Sequence, residues 1–256
     1  MTNLYCAFFL FYSQLHYFYL KLNTSQLEEQ NNSNCKDCKE TSQCFHFLVP
    51  DELEFINSKK TQITYLKGET IFKQGAFAPY ILYVVNGLVR VYLQTGSSKQ
   101  VNIRLAKQGD FMAFSSIFGN TIYNYSAVAL KDSSICMIDK TALKQLLLKN
   151  AEFAMRITSR NCQNEGRYLD IIQNISYKQM RGKLASALLY LSSDEFVDEN
   201  VFQYLNRQDI ADFSSITLES AVKFIKEFEK EGIIGLDGKN IIIQNAKKLE
   251  EINLRG

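Results

Sequence analysis

One change of periodicity constrains this chain more than any other feature. Between Ile63 and Ile138, short β-branched and aromatic runs alternate with turn signals, and past Cys136 the spacing becomes helical. The runs include Ile81-Leu82-Tyr83-Val84-Val85, Leu88-Val89-Arg90-Val91-Tyr92 and Val101-Asn102-Ile103-Arg104-Leu105. Lys67-Gly68, Gln74-Gly75, Asn86-Gly87, Gly96-Ser97 and Gln108-Gly109-Asp110 separate them. Short strands at that spacing predict a small antiparallel roll or barrel. Beyond it, Ala154, Ile157, Asn161, Asn164, Tyr168, Ile171 and Ile175 fall at alternating steps of three and four, the pattern of an interhelical seam. A long helix packed on its own roll has the same period, and periodicity leaves both readings open. Asn161 and Asn164 in mid-seam would pair two helices weakly but in a fixed register.

The last eighty residues read as a compact helical unit ending in a hairpin. Asn206-Arg207-Gln208-Asp209 resembles a capping box and opens a short helix over Arg207–Phe213, followed by the turn Ser214-Ser215-Ile216. Thr217 can cap a second helix with Leu218, Ala221, Val222, Ile225 and Phe228 on one face. Its other face carries Glu219, Ser220, Lys223, Glu227 and Lys230. Gly232 ends the helix, and Ile233 to Ile243 alternates around the turn dipeptide Asp237-Gly238. Helix, turn, helix and hairpin make a winged helix-turn-helix. Such a unit sets the start of its second helix against base edges, here Thr217, Glu219, Ser220 and Lys223. Glu accepts from cytosine, Lys donates to guanine, and Ser or Thr reaches bases or phosphates. A role in protein contacts fits the same small fold. From Ser176 to Gly256 there are 11 Lys and Arg against 13 Asp and Glu. DNA binding would therefore rest on local placement of Lys178, Arg181, Lys183, Arg207, Lys223 and Lys239.

Composition narrows the class. A chain of 256 residues with 46% hydrophobic and 22% charged residues folds as a globular protein, and its net charge of +2 announces no polyanion. No Ser/His/acid arrangement, P-loop or dinucleotide-type glycine loop is present, and two histidines leave little general-base chemistry, which argues against an enzyme. Leu4 to Leu20 is uncharged and aromatic but short for a bilayer span and interrupted by Ser13, Gln14 and His16. It lacks a basic flank and a cleavage context, so it reads as an appendage, with a membrane-surface segment as the minor alternative. The remainder is read as cytoplasmic, with residues 1–34 as leader and linker. Cys35, Cys38 and Cys44 crowd a polar loop, where thiols would be exposed and reactive. Cys6, Cys136 and Cys162 stand apart.

Taken in order, these segments resemble the Crp/Fnr family of bacterial transcription regulators over roughly residues 35 to 250. The resemblance lies in Leu66-Lys67-Gly68-Glu69-Thr70-Ile71-Phe72-Lys73-Gln74-Gly75, Tyr83-Val84-Val85-Asn86-Gly87-Leu88-Val89 and Gly109-Asp110-Phe111. Most specific is Asn206-Arg207-Gln208-Asp209-Ile210-Ala211-Asp212-Phe213 with Thr217 to Gly232. It implies an α+β chain: a cyclic-nucleotide-binding-like antiparallel β-roll sensor over 35–148, a dimerisation helix over 149–176, and a winged helix-turn-helix over 177–256. The implied partners are an operator in double-stranded DNA, a second copy of the chain and RNA polymerase. Its implied DNA-contacting residues are Arg207, Thr217, Glu219, Ser220, Val222 and Lys223. At the three positions that usually bear Glu, Ser and Arg, Glu219 matches, Val222 loses a hydroxyl, and Lys223 replaces a guanidinium fork with a point charge. The operator need not be the family's best-known half-site.

Two branches of the family imply different signals. The cyclic-nucleotide branch uses an Arg and a Glu after Gly109-Asp110, but this chain has no Arg between Arg104 and Arg156 and no Glu between Glu69 and Glu152. A buried cyclic phosphate would lack its bidentate partner, which argues against cAMP or cGMP. The Fnr branch binds an oxygen-sensing [4Fe–4S] cluster through C-x2-C-x5-C and a fourth cysteine some ninety residues on. Cys35, Cys38 and Cys44 reproduce that spacing, and Cys136 falls at the fourth position. Four thiolates also suit structural zinc, and thiol–disulfide redox sensing or an uncharged effector in the roll remain alternatives. Cys136 by itself also reads as ordinary core. Cys6, Cys162 and His46 match nothing in the pattern.

Overall fold

The computed structural model describes residues 45–96, 99–162 and 164–256. The leader, the linker, Cys35, Cys38, Cys44 and Ser97 lie outside the described residues.

A one-turn 3-10 helix at Phe45–Phe47 and helix α1 (Pro50–Asn57) precede the strands β1 (Lys60–Tyr65), β2 (Thr70–Phe72), β3 (Tyr80–Asn86), β4 (Leu88–Gln94), β5 (Gln100–Lys107), β6 (Phe111–Met112), β7 (Ser126–Ala129) and β8 (Ser133–Asp139). These strands form two antiparallel four-stranded sheets, ordered β1-β8-β3-β6 and β2-β7-β4-β5. Helices α2 (Lys140–Lys149), α3 (Ala151–Cys162) and α4 (Asn164–Tyr177) follow. The C-terminal unit contains α5 (Met180–Leu191), α6 (Arg207–Ser214), α7 (Leu218–Lys230), the hairpin β9 (Ile234–Asp237) and β10 (Asn240–Ile243), and α8 (Ala246–Arg255). The expected α+β architecture of roll, connecting helix and winged helix-turn-helix is present.

Three packed clusters explain the run lengths. Leu82, Val84, Val89, Val91, Ala127 and Ile135 fill the space between the two sheets. On the outer face of the first sheet, Ile81, Tyr83, Cys136 and Ile138 pack against Phe45, Leu143, Phe153 and Ile157. The β3 run is therefore apolar throughout instead of alternating, because both of its faces are covered. The third core belongs to the C-terminal unit, but it draws in Leu88, Leu105 and Leu130 from the roll. The two halves thus share buried surface.

Local sequence sets the ends. The Asp139 side chain accepts from Ala142 N–H at 2.8 Å and starts α2. In α6 the capping box closes: Asp209 N–H donates to Asn206 Oδ1 and Asn206 N–H to Asp209 Oδ2, each at 2.9 Å. The helix runs one residue past the expected Phe213, and Ser215 stops it at φ 52°. The hairpin turn sits one residue later than Asp237-Gly238, since Asp237 pairs with Asn240 and leaves Gly238 and Lys239 as the loop. Gly238 at φ 58° takes the first loop position, where a positive φ is required.

Candidate functional site

The second helix of the C-terminal unit presents two faces. Ala221, Ile225 and Phe228 are buried beneath it. Thr217, Glu219 and Lys223 are exposed, and Ser220 and Val222 are half-buried beside them. Leu218, expected on the apolar face, is also exposed, because it is the first residue of the helix and lies beyond the core. Thr217 Oγ1 accepts from Ser220 N–H at 3.3 Å and fixes the first turn. Backbone and Thr217 hydrogen bonds hold the Glu219 carboxyl below its ordinary pKa, so it faces solvent as a charged acceptor. Arg207 opens α6 and donates to Lys239 C=O at 3.2 Å, tying the first helix to the hairpin tip. Burial lowers the Arg207 pKa. Thr217, Glu219, Ser220, Val222 and Lys223 thus share the first turns of α7, while Arg207 sits against the hairpin tip. Arg181 is engaged elsewhere, donating to both Glu231 oxygens at 2.7 Å.

Cys136 is the fourth cysteine of the expected metal set. Alternation along β8 puts Ile135 between the sheets and Cys136 with Ile138 on the outer face. Cys136 pairs across the ladder with Tyr83, whose ring is 5.2 Å from that of Phe45. Phe45, the residue after Cys44, is itself buried. The chain thus enters the fold beside Cys136, as a four-thiolate set spanning loop and roll would need. The other three donors lie outside the described residues, and among the described residues no three His, Cys, Asp or Glu side chains group as metal ligands.

The same outer face holds the helix expected at the seam. Phe45 and Phe153 stack with centroids 6.1 Å apart. Asn150 donates to Phe47 C=O at 3.0 Å and to Glu52 at 2.8 Å, while its Oδ1 accepts from Phe153 N–H at 2.9 Å. The segment after Cys44, the strand of Cys136 and the first turn of α3 therefore form one packed unit.

Ile157 departs from the seam reading. It is fully buried with Phe153 in this chain's own core, because the i, i+4 pair of α3 lies on the outer face of the sheet. The Asn161 amide bonds back to Ile157 C=O of its own helix at 2.8 Å, and the Asn164 amide at the start of α4 donates to Asn161 C=O of α3 at 3.2 Å. Ala154 is half-buried, Ile171 is half-buried against the roll, and Tyr168 and Ile175 are exposed. Met155, Leu169 and Ile172, which the period did not single out, are exposed apolar side chains of the same helices. Between this helix pair and the roll lies an apolar cavity of about 720 Å³, reached by Phe111, Phe118, Tyr125, Tyr168 and the buried Arg104. Cys162 is exposed on α3.

Sequence reasoning also missed how roll and head join. Arg90 donates to Asp209 Oδ1 at 2.6 Å, Asn102 to Asp209 C=O at 2.9 Å and Gln100 to Asp212 Oδ2 at 2.6 Å. The β4–β5 register slips between Val91 and Tyr92, skipping Ile103 and turning Asn102 toward α6. The available signal was a polar residue inside each apolar strand run, Arg90 in one and Asn102 in the other.

No helix among the described residues is long and apolar enough to cross a membrane. A cyclic nucleotide-binding domain model matches residues 62–150, and a Crp-like helix-turn-helix domain model matches residues 182–252. The chain is 28% identical over 230 residues to the fumarate and nitrate reduction regulatory protein of Salmonella typhi, covering 84% of this chain and 88% of that one. It is also 28% identical over 233 residues to the protein of that name in Escherichia coli K12, covering 86% and 90%. FixK2 of Bradyrhizobium japonicum shares the fold at a TM-score of 0.67 and 20% identity, over 76% of this chain and 97% of FixK2. A Crp/Fnr-family regulator from Eubacterium rectale does so at 0.68 and 19%, over 84% and 99%. The two domain models together span more than half of the residues, and the fold carries them in the same order. The chain therefore belongs to the Crp/Fnr family of DNA-binding transcription regulators, which act as dimers and are not enzymes, and it is related to Fnr.

Proposed function

We propose that this regulator senses oxygen or redox state through a [4Fe–4S] cluster held by Cys35, Cys38, Cys44 and Cys136, and that the cluster controls dimerisation. The observation that carries this reading is the burial of Cys136 on the outer face of β8, beside the point where the chain arrives from Cys44. When bound, the cluster supplies an oxygen-labile link between loop and roll.

The protein's own residues would transmit that link. Phe45 and Asn150 connect the arriving chain to the first turn of α3, so ordering the loop would favour one position of the α3–α4 pair. Ala154, Asn161, Asn164, Tyr168, Ile171 and Ile175 then meet a second copy, with Ile157 bracing the helix from behind. The segment 149–176 is the dimerisation helix between the sensor domain at 35–148 and the DNA-binding domain at 177–256. Arg207, Thr217, Glu219, Ser220, Val222 and Lys223 read the operator, in a cytoplasmic protein that works with RNA polymerase.

Anaerobic purification tests this reading. A coloured protein with equal iron and sulfide, dimeric without air and monomeric after air, is expected. Its affinity for a duplex selected from random sequence should fall steeply with salt and drop at least tenfold in Cys38→Ser. A colourless protein containing zinc, or equal anaerobic affinity of wild type and Cys38→Ser, refutes it.

A further inference from the structure

A second, polar cavity of about 320 Å³ opens where the end of β5, α3, α4 and α5 meet. Four cationic side chains line it, Arg104, Lys107, Arg160 and Arg167, against two carboxylates, Asp110 and Glu195. Asp110 is already shared: it accepts from Lys107 N–H at 2.9 Å and lies 3.3 Å from Arg160 and 3.9 Å from Arg104. Both guanidiniums keep a buried Nε without a hydrogen-bond partner. Arg104 is only 4% exposed, and its terminal nitrogens already donate to Leu105 C=O at 3.3 Å and Phe111 C=O at 2.9 Å, so only its Nε is left short. Burial, and then the charge of Asp110, raises the Glu195 pKa, while Lys107, Arg104 and Arg160 act to lower it. Arg167 donates to Ile103 C=O at 3.2 Å and stacks on Tyr190 at 3.7 Å, its fork held in place. Buried charges left short of partners are costly, and buried donors without acceptors call for a missing one.

We propose that this cavity binds a small phosphate-class oxyanion, gripped by Arg160 and Arg167, with the buried Arg104 charge and its Nε behind them and Lys107, whose ammonium also donates to Glu195 C=O, at the rim. Guanidinium forks match phosphate oxygens in pairs, and those of Arg160 and Arg167 converge here from separate helices. Tyr190 accepts from Leu105 N–H at 2.9 Å and, with its pKa pushed up to about 12 by burial, keeps a proton to donate. The volume exceeds that of a bare ion and leaves room for a small organic tail. Because Arg104 and Lys107 come from the roll, Arg160 and Arg167 from the connecting helices, and Tyr190 from the C-terminal unit, the anion would fasten all three together. None of these residues belongs to the thiol set, so the site stands or falls independently of the cluster.

The test is calorimetry and thermal unfolding of the full chain with chelator present, in wild type and in Cys38→Ser. Sodium phosphate is titrated against sodium chloride of equal ionic strength. Saturable binding of one phosphate per chain is expected, with a rise in melting temperature that chloride does not reproduce. Arg160→Gln and Arg167→Gln should each weaken binding roughly tenfold or more, the loss of a charged hydrogen bond. Should either fail to fold, Lys107→Gln at the rim should still lower the affinity. Glycerol phosphate run in parallel separates the two sources: tighter binding than phosphate assigns the extra volume to an ester tail, and equal binding assigns the site to the free ion. No saturable effect beyond chloride means that the cavity holds water and overturns the proposal. Undiminished binding in all three variants overturns it as well, since the ion then sits elsewhere.

Discussion

Gly87 turns the chain from β3 directly into β4, and no other residue fits there. Its φ is 125°, and a Cβ would lie 2.2 Å from Ser133 Oγ and 2.7 Å from Ser133 Cα. Gly75 has a similar φ of 82° but nothing within 4 Å. Gly75→Ala should therefore cost about 1–2 kcal/mol, the left-handed penalty alone. Gly87→Ala adds a backbone collision and should cost about 3 kcal/mol or more, read from denaturant midpoints of the two variants. Equal losses would show that Ser133 moves aside. The dipeptide Asn86-Gly87 announced a turn in the sequence, but the crowding beneath it comes from a residue 46 positions away. Asp209 was legible in the same partial way. Its place three residues after Asn206 identified a cap, and one carboxylate oxygen does close it. The other oxygen takes Arg90, a partner across 119 residues that no local pattern encodes.

Among the elements, strands and helices were legible where one face is covered by a predictable neighbour. Ala221, Ile225 and Phe228 follow the 3.6-residue period and are buried as that period requires. The connecting helix was harder, because it has two apolar surfaces and the period does not tell which one meets the roll. Phe153 and Ile157 face inward, while Met155, Leu169 and Ile172 remain outside. That division is testable. Ile157→Ala empties a site in the chain's own core and should lower stability by about 2–4 kcal/mol with little change in self-association. Ile172→Ala should leave stability within about 0.5 kcal/mol, as expected of an exposed site, while weakening dimerisation. Chemical denaturation and sedimentation equilibrium separate the two outcomes. Should Ile157→Ala dissociate the dimer without loss of stability, the inward assignment of α3 fails.

At the scale of the whole molecule, the joint between roll and head decides whether the two halves behave as one. Leu88, Leu105 and Leu130 carry roll surface into the head's core, and the Arg90, Asn102 and Gln100 side chains fasten α6 above them. Asp209 and Asp212 are both buried, with Arg90 2.6 Å from one and 4.0 Å from the other. Removing that cation leaves two carboxylates beside each other in a poorly solvated joint, and losing one partner of such a pair costs more than the pair contributes. Arg90→Ala should therefore destabilise the chain by about 3 kcal/mol, with the loss concentrated at the joint. In scanning calorimetry the wild type should unfold in one transition, and Arg90→Ala should resolve a separate, earlier melting of the C-terminal unit. Asp209→Asn keeps an oxygen for the cap but gives up the charge, so it should show the same splitting with a smaller shift. A single unshifted transition in both variants would mean that the apolar contacts alone join the halves. Helix α7, proposed above to read the operator, packs on α6, and so a head released from the roll should carry that proposed face with it, raising the duplex affinity of Arg90→Ala if the joint restrains that face and leaving it unchanged if it does not.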